Sequence, residues 1–286
     1  MRTDCRARCA MLRVVAFFCT LSAWLTALAG AVLVNALLAS SVLAERAPVV
    51  APTILGELPH DTGVFTQGLF LHRGLFYESA GLRGQSRLLI TEPDSGQQIL
   101  VHRLPPHIFA EGADLCGDEV VQLTWTSGLA LRYEPDTLAK IGEFRYQGQG
   151  WGIACRGQRV VTSDGSANLT FRDPKTFKSQ RTLTVTDAGV PVRQLNELEW
   201  AGGLLLANIW RSHRIAAIDP VTGAVRLWLD MSEVVRRSGQ SGTEFVLNGI
   251  AWDAAQQRLY VTGKGWNRLY LIDCTGESLQ RARLRR

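Results

Sequence analysis

SRLLITEP (86–93), GLALRYEP (128–135), ANLTFRDP (167–174), HRIAAIDP (213–220) and NRLYLIDC (267–274) are five versions of one phrase. Each is an alternating or β-branched run that stops at an acidic residue, followed in four of the five by proline. Alternation with a period of two marks a strand, and Asp or Glu before Pro opens a turn. The acidic residues stand at 92, 134, 173, 219 and 273, so the phrase recurs at intervals of 42, 39, 46 and 54 residues. That is the length of a four-stranded propeller blade, and the intervals are too uneven for a solenoid of constant rise.

Upstream of each phrase lies a second repeated unit: FTQGLFLHRGLFYES (65–79), FAEGADLCGDEVVQLTW (109–125), GWGIACRGQRVVTSD (150–164), LNELEWAGGLLLANIW (195–210) and LNGIAWDAAQQRLYVTGK (247–264). In all five a short apolar strand meets a Gly-rich or polar turn and returns as a more hydrophobic strand, the pattern of a hairpin. The two units together give five blades of four strands, an all-β five-bladed β-propeller over residues 45–286. The one helical turn expected is MSEVVRRS (231–238). Thr53–Leu58 precedes the first blade as an outer strand would, and is expected to pair with the last blade and close the ring.

Composition narrows the function classes. The chain has 286 residues, 31 basic against 26 acidic, for a net charge of +5. Arg2, Arg6, Arg8 and Arg13 precede residue 14, which leaves 27 bases and 25 acids over residues 45–286. The basic surplus is therefore a property of the amino terminus, and no nucleic-acid partner is expected. Residues 14–44 form an uncharged apolar run of 31 residues after this arginine-rich leader. Residues 1–44 thus read as a signal peptide cleaved after Val42-Leu43-Ala44 or as an uncleaved membrane anchor. Either reading keeps the arginines cytoplasmic and exports the remainder, with a bacterial periplasm or secretion as the simplest destination. The propeller is read as a monomer that meets a membrane only through an uncleaved leader.

Cys116, Cys155 and Cys274 are the cysteines outside that leader, an odd number that allows at most one bridge and reads first as buried free thiols. His60, His72, His102, His107 and His213 lack any ligand spacing, so no zinc site is expected.

Blade geometry converts the repeat into candidate site residues. The first strand of a blade begins, and the antiparallel second strand ends, at one face near the axis. Gln67 with Glu78, Glu111 with Trp125, Trp151 with Asp164, Asn196 and Glu197 with Trp210, and Asn248 with Lys264 and Trp266 should converge there. Tryptophans, carboxyls and a lysine on one ring describe an apolar-walled pocket with a few polar groups. Blander readings stand beside this one: packing for each Trp, structural ion pairs for Glu111 and Glu197, and a turn for Asp164 in SDGS.

FTQGL (65–69), LFYESAGLRGQSRL (75–88), FAEG (109–112), QLTW (122–125), GWG (150–152), SDGSANLTF (163–171), LNELE (195–199), ANIW (207–210), IDPVTG (218–223), LNGIAWD (247–253) and VTGKGW (261–266) resemble the plant- and bacterial-type glutaminyl-peptide cyclotransferases. The likeness runs from about residue 53 to 272. It implies a five-bladed propeller that converts N-terminal glutamine of peptides or proteins to pyroglutamate and releases ammonia, an acyltransferase needing no metal or cofactor. A structural ion in the central channel is left open. By matching motifs, the resemblance puts the catalytic carboxylate at Glu111 and the active-site lysine at Lys264. Substrate contacts fall on Phe65, Gln67, Phe109, Trp125, Trp151, Asn196, Glu197 and Trp210. One position departs from the family pattern: Gln149 stands before GWG where an acid is usual. The competing readings are a non-catalytic propeller that binds N-terminal peptide segments and a lactonase-like hydrolase.

Overall fold

The computed structural model describes residues 45–273. The leader at 1–44 and Cys274 lie outside the described residues. Five sheets stand around a common axis. Blade 1 comprises Thr66–His72, Leu75–Ala80, Arg87–Thr91 and Gln98–Arg103, paired in that order from the inside out. Blade 2 runs through Ala110–Cys116, Glu119–Thr124, Leu129–Tyr133 and Lys140–Arg145, and blade 3 through Ile153–Arg156, Arg159–Thr162, Asn168–Arg172 and Ser179–Thr184. Leu195–Ala201, Leu204–Ile209, Arg214–Ile218 and Val225–Asp230 make blade 4. The inner strands of blade 5 are Leu247–Asp253, Arg258–Gly263 and Arg268–Asp273. Its outer strand is Thr53–Pro59, which pairs antiparallel with Arg268–Asp273 and closes the ring as expected.

The acidic-Pro phrase is the turn between the third and fourth strands. In blade 1 the Glu92 carboxylate accepts the N–H groups of Asp94 and Ser95, and Asp219 does the same for Val221 and Thr222 in blade 4. The acidic residue's carbonyl then accepts the N–H four residues on, from Gly96, Leu138, Phe177 and Gly223 in turn. Those four adopt positive φ (70°, 53°, 59° and 77°), and where the residue is Leu138 or Phe177 its side chain is fully buried, which offsets the strain.

The core is divided among the blade interfaces. Phe70, Tyr77 and Leu88 of blade 1 pack against Val120, Leu131 and Tyr133 of blade 2, and Leu206, Ile215 and Leu229 of blade 4 against Ile250, Leu259 and Val261 of blade 5. A short helix, Ser232–Ser238, follows blade 4 and buries Val234 in the latter cluster, where the sequence places a helical turn.

The cysteine expectation is overturned. Cys116 and Cys155 form a disulfide with Cα atoms 5.1 Å apart. The reason is the ring itself: Cys116 ends the innermost strand of blade 2 and Cys155 lies in that of blade 3, and innermost strands of successive blades run side by side. Asp114 Oδ2 accepts the Cys155 N–H at 2.6 Å and holds the two strands in register.

Candidate active site

The innermost strands carry the site because four of them break register at the same place. The ladder slips between Thr66 and Gly68, Ala110 and Ala113, Leu195 and Leu198, and Leu247 and Ile250. A bulge at a strand's first residues re-aims the side chains it contains, and these bulges contain Gln67, Glu111, Asn196 and Asn248. The second strands also end alike. Gly81, Trp125, Trp210 and Lys264 each donate the backbone N–H to a residue just before the innermost strand: Phe65, Phe109, Gln194 and Val246. One structural position thus supplies two tryptophans and the lysine. Gly81 occupies it in blade 1, where a Cβ would lie 2.7 Å from the Phe109 ring.

A cavity of about 270 Å³ opens at this face, lined by Phe65, Gln67, Leu82, Phe109, Glu111, Trp125, Trp151, Asn196, Trp210, Glu244 and Lys264. Nine of the ten residues that the resemblance singles out are brought together. The tenth, Glu197, does not line the cavity. It occupies the bulge position that is Gly68, Gly112 and Gly249 in blades 1, 2 and 5, and its buried carboxyl reaches across the axis to the Leu69 N–H of blade 1 at 3.5 Å. Neighbouring ring positions are structural too. Glu78 accepts from Thr66 Oγ1 and pairs with His60, Asn248 donates to Thr66 O, and Asp164 caps its own turn through the Ser166 N–H. Trp266 is fully buried between blades, its indole N–H on Phe245 O.

The aromatic walls are positioned by one polar group. Gln149 Oε1 accepts both the Trp125 and the Trp151 indole N–H, at 2.8 and 2.9 Å. Trp151 meets Trp210 edge to face, with centroids 5.7 Å apart. Gly165, at φ 81°, passes beneath Trp151, where a Cβ would lie 2.7 Å from the ring. Leu82, held at φ 77°, and Glu244 line the cavity without having been read from the sequence, since both stand in connections that the repeat does not describe.

Two buried ionisable groups meet in the cavity. Glu111 accepts from Gln67 Nε2 at 3.3 Å, and burial pushes its carboxyl up to about 8 against the opposing pull of Lys264. Burial lowers the Lys264 amine, partly offset by Glu111 and Glu244, and its Nζ lies 4.9 Å from the centroid of the Phe65 ring. Gln67 Oε1 and Asn196 Oδ1 are buried and have no partner among the described residues, so both are open to a donor on a bound molecule. No group of three or more His, Cys, Asp or Glu is arranged to hold a metal ion among the described residues.

Fold and site define a propeller with an acid–base pocket at the mouth of its axis. The chain belongs to the glutamine cyclotransferase family: its residues 25–274 match the model of that family. It is 37% identical over 224 residues to the glutaminyl-peptide cyclotransferase of Arabidopsis thaliana, spanning 77% of this chain and 70% of that protein. The crystal structure of the Myxococcus xanthus glutaminyl cyclase superposes with a TM-score of 0.75 at 38% identity, covering 79% of this chain and 97% of that one.

Proposed function

We propose that the chain cyclises an N-terminal glutamine of peptides or proteins to pyroglutamate with release of ammonia, the reaction its family name describes. The observation that carries this reading is the convergence of one protonatable carboxyl, Glu111, and one amine, Lys264, in a cavity walled by Trp125, Trp151 and Trp210. Nucleophile and electrophile belong to one residue, so the pocket chiefly has to hold the rotamer that brings the α-amine onto the side-chain amide carbon. A dry aromatic box does so. The C–N bond to the α-nitrogen forms while the bond to the amide nitrogen breaks. The α-ammonium must lose two protons, one before it attacks and one as it becomes the lactam N–H, and the leaving nitrogen must gain one to depart as ammonia.

Glu111 takes the first proton, gives it to the departing nitrogen, and as a carboxylate again accepts the second from the ring nitrogen, which makes it the shuttle of the reaction. Lys264 and the Gln67 amide face the oxygen on which negative charge develops. Asn196 Oδ1 and Gln67 Oε1 supply acceptors for substrate N–H groups. Every step falls to a side chain, and the reading calls on no metal or cofactor.

The exported side of a membrane is the proposed location, supported by the apolar leader and by the Cys116–Cys155 disulfide, which persists in oxidising compartments. A binding-only propeller is disfavoured because such a protein has no need of the carboxyl that Glu111 retains. The test is ammonia release and pyroglutamyl formation from Gln-Ala-amide. The purified protein should be active, and Glu111→Gln should be slower by about 10²–10⁴-fold. A parent protein without activity would overturn the reading, and a fully active Glu111→Gln the mechanism.

A further inference from the structure

Three charged side chains line the cavity. Glu111 and Lys264 are buried, and Glu244 is exposed at its edge. Glu244 stands in the segment between the short helix and blade 5. The helix ends on Gly239 at φ 65°, and the chain turns again at Gly242, φ 111°. The segment is then anchored just after Glu244: Phe245 O accepts the Trp266 indole N–H at 2.9 Å, and Val246 O accepts the Lys264 N–H at 3.0 Å. The backbone is therefore fixed where Glu244 begins, yet its carboxylate makes no hydrogen bond or ion pair with any described residue. Lys264 feels its charge, but the lysine sits deeper in the pocket.

We infer that Glu244 is a specificity-determining residue that favours a basic side chain, and disfavours an acidic one, directly after the N-terminal glutamine. The inference rests on the proposed cyclisation. A glutamine seated against Glu111 leaves the following residue as the first to emerge at the edge, where the accessible charge lining the cavity is negative. Phe245, 43% exposed beside Glu244, offers an apolar surface for the stem of a lysine or arginine. Two cations stand next to lining residues in sequence and neither lines the cavity: Arg83, beside Leu82, is exposed, and Arg211 has its guanidinium 4.3 Å from the centroid of the Trp210 ring.

The experiment compares kcat/KM for Gln-Lys-amide, Gln-Ala-amide and Gln-Glu-amide at low salt. The parent should favour Lys over Glu by about three- to tenfold, the scale of one partly exposed charge contact made or opposed. Glu244→Gln should bring the ratio to within about twofold, Glu244→Lys should invert it, and about 0.5 M salt should shrink the parent's preference. A ratio unchanged in Glu244→Gln overturns the inference.

A binding measurement separates this from the reaction itself. Quenching of tryptophan fluorescence by pyroglutamyl-Lys-amide and pyroglutamyl-Glu-amide should give the same order of Kd, and equal values in the parent overturn the charge preference. Failure of the parent to release ammonia from all three peptides overturns the proposed function instead.

Discussion

Glu111, raised by burial to about 8, and a peptide α-amine, ordinarily near 7.7, titrate in the same range, so a proton passes between them almost without cost. The productive complex holds one proton between the two groups. Below this range both are protonated, and above it neither is. The dependence of kcat/KM on pH should therefore be a bell centred near pH 8, rising from about pH 6. Initial rates across that range check it, and a flat profile between about pH 6 and 8 would contradict the raised carboxyl. Most of the site was legible because residues one repeat apart fall on one ring: Trp125, Trp210 and Lys264 are a single position read in three blades. The errors have one cause, which is that strand counting locates a residue along a blade but not the side its chain leaves from. Glu78, Asn248 and Trp266 lie at the right height and turn into blade contacts instead. Glu197 stands apart from the cavity lining because the place it fills is glycine in three other blades, and its carboxyl reaches across the axis to the Leu69 N–H. Gln149 keeps its place without the usual charge because its task here is to accept two indole N–H groups, which a neutral amide oxygen does.

At the scale of elements, the four bulges explain how a fold built for regularity presents irregular chemistry. Each slip frees one or two residues of the innermost strand from the ladder, and three of the four slips, at Gln67, Glu111 and Asn196, supply polar groups of the pocket. Strands and turns were readable because their signals are local: alternation, an acidic-Pro pair, a residue at positive φ. The disulfide was not, because Cys116 and Cys155 become neighbours only when blades 2 and 3 are set side by side. It closes a separation of 39 residues, so Cys116→Ser with Cys155→Ser should lower stability by about 2–4 kcal/mol, seen as a lower urea midpoint. Cys116 lies five residues beyond Glu111 on an extended strand, about 16 Å from the mouth. The double variant should therefore retain kcat/KM in the absence of denaturant. A large loss of activity with an unchanged midpoint would mean that the bridge serves the pocket and not the ring.

The whole ring is closed by its ends, since Thr53–Pro59 completes blade 5 while Val49–Val50 extends blade 4 in parallel with Val225–Asp230. His60, the residue after the closing strand, is buried with Nδ1 2.7 Å from Trp266 O and Nε2 3.0 Å from Glu78 Oε1. Both neighbours accept, so the imidazolium with two donors suits the site. Burial alone would lower this histidine, yet the charge and hydrogen bond of Glu78 outweigh it and raise the group. A raised histidine contributes stability that is complete below about pH 6.5 and lost as pH passes its folded value. Four carboxyls of the innermost strands act in the same direction. Burial raises Glu111 to about 8 and Asp114 to about 7, and lifts Glu197 and Glu199 well above the ordinary range. Each binds its proton more tightly folded than unfolded, so above about pH 4.5 each subtracts stability as pH rises toward its folded value. The opposite group, surface carboxylates such as Asp219, Asp230 and Glu233, is held low by hydrogen bonds and loses its contribution only in acid. The thermal midpoint should therefore peak near pH 5 and fall by about 5–10 °C by pH 8, where many globular proteins stay level. Calorimetry from about pH 4 to 9 decides this. A midpoint that stays flat or rises between about pH 5 and 8 would mean that the axial carboxyls ionise in the folded ring without cost, which their burial between innermost strands forbids.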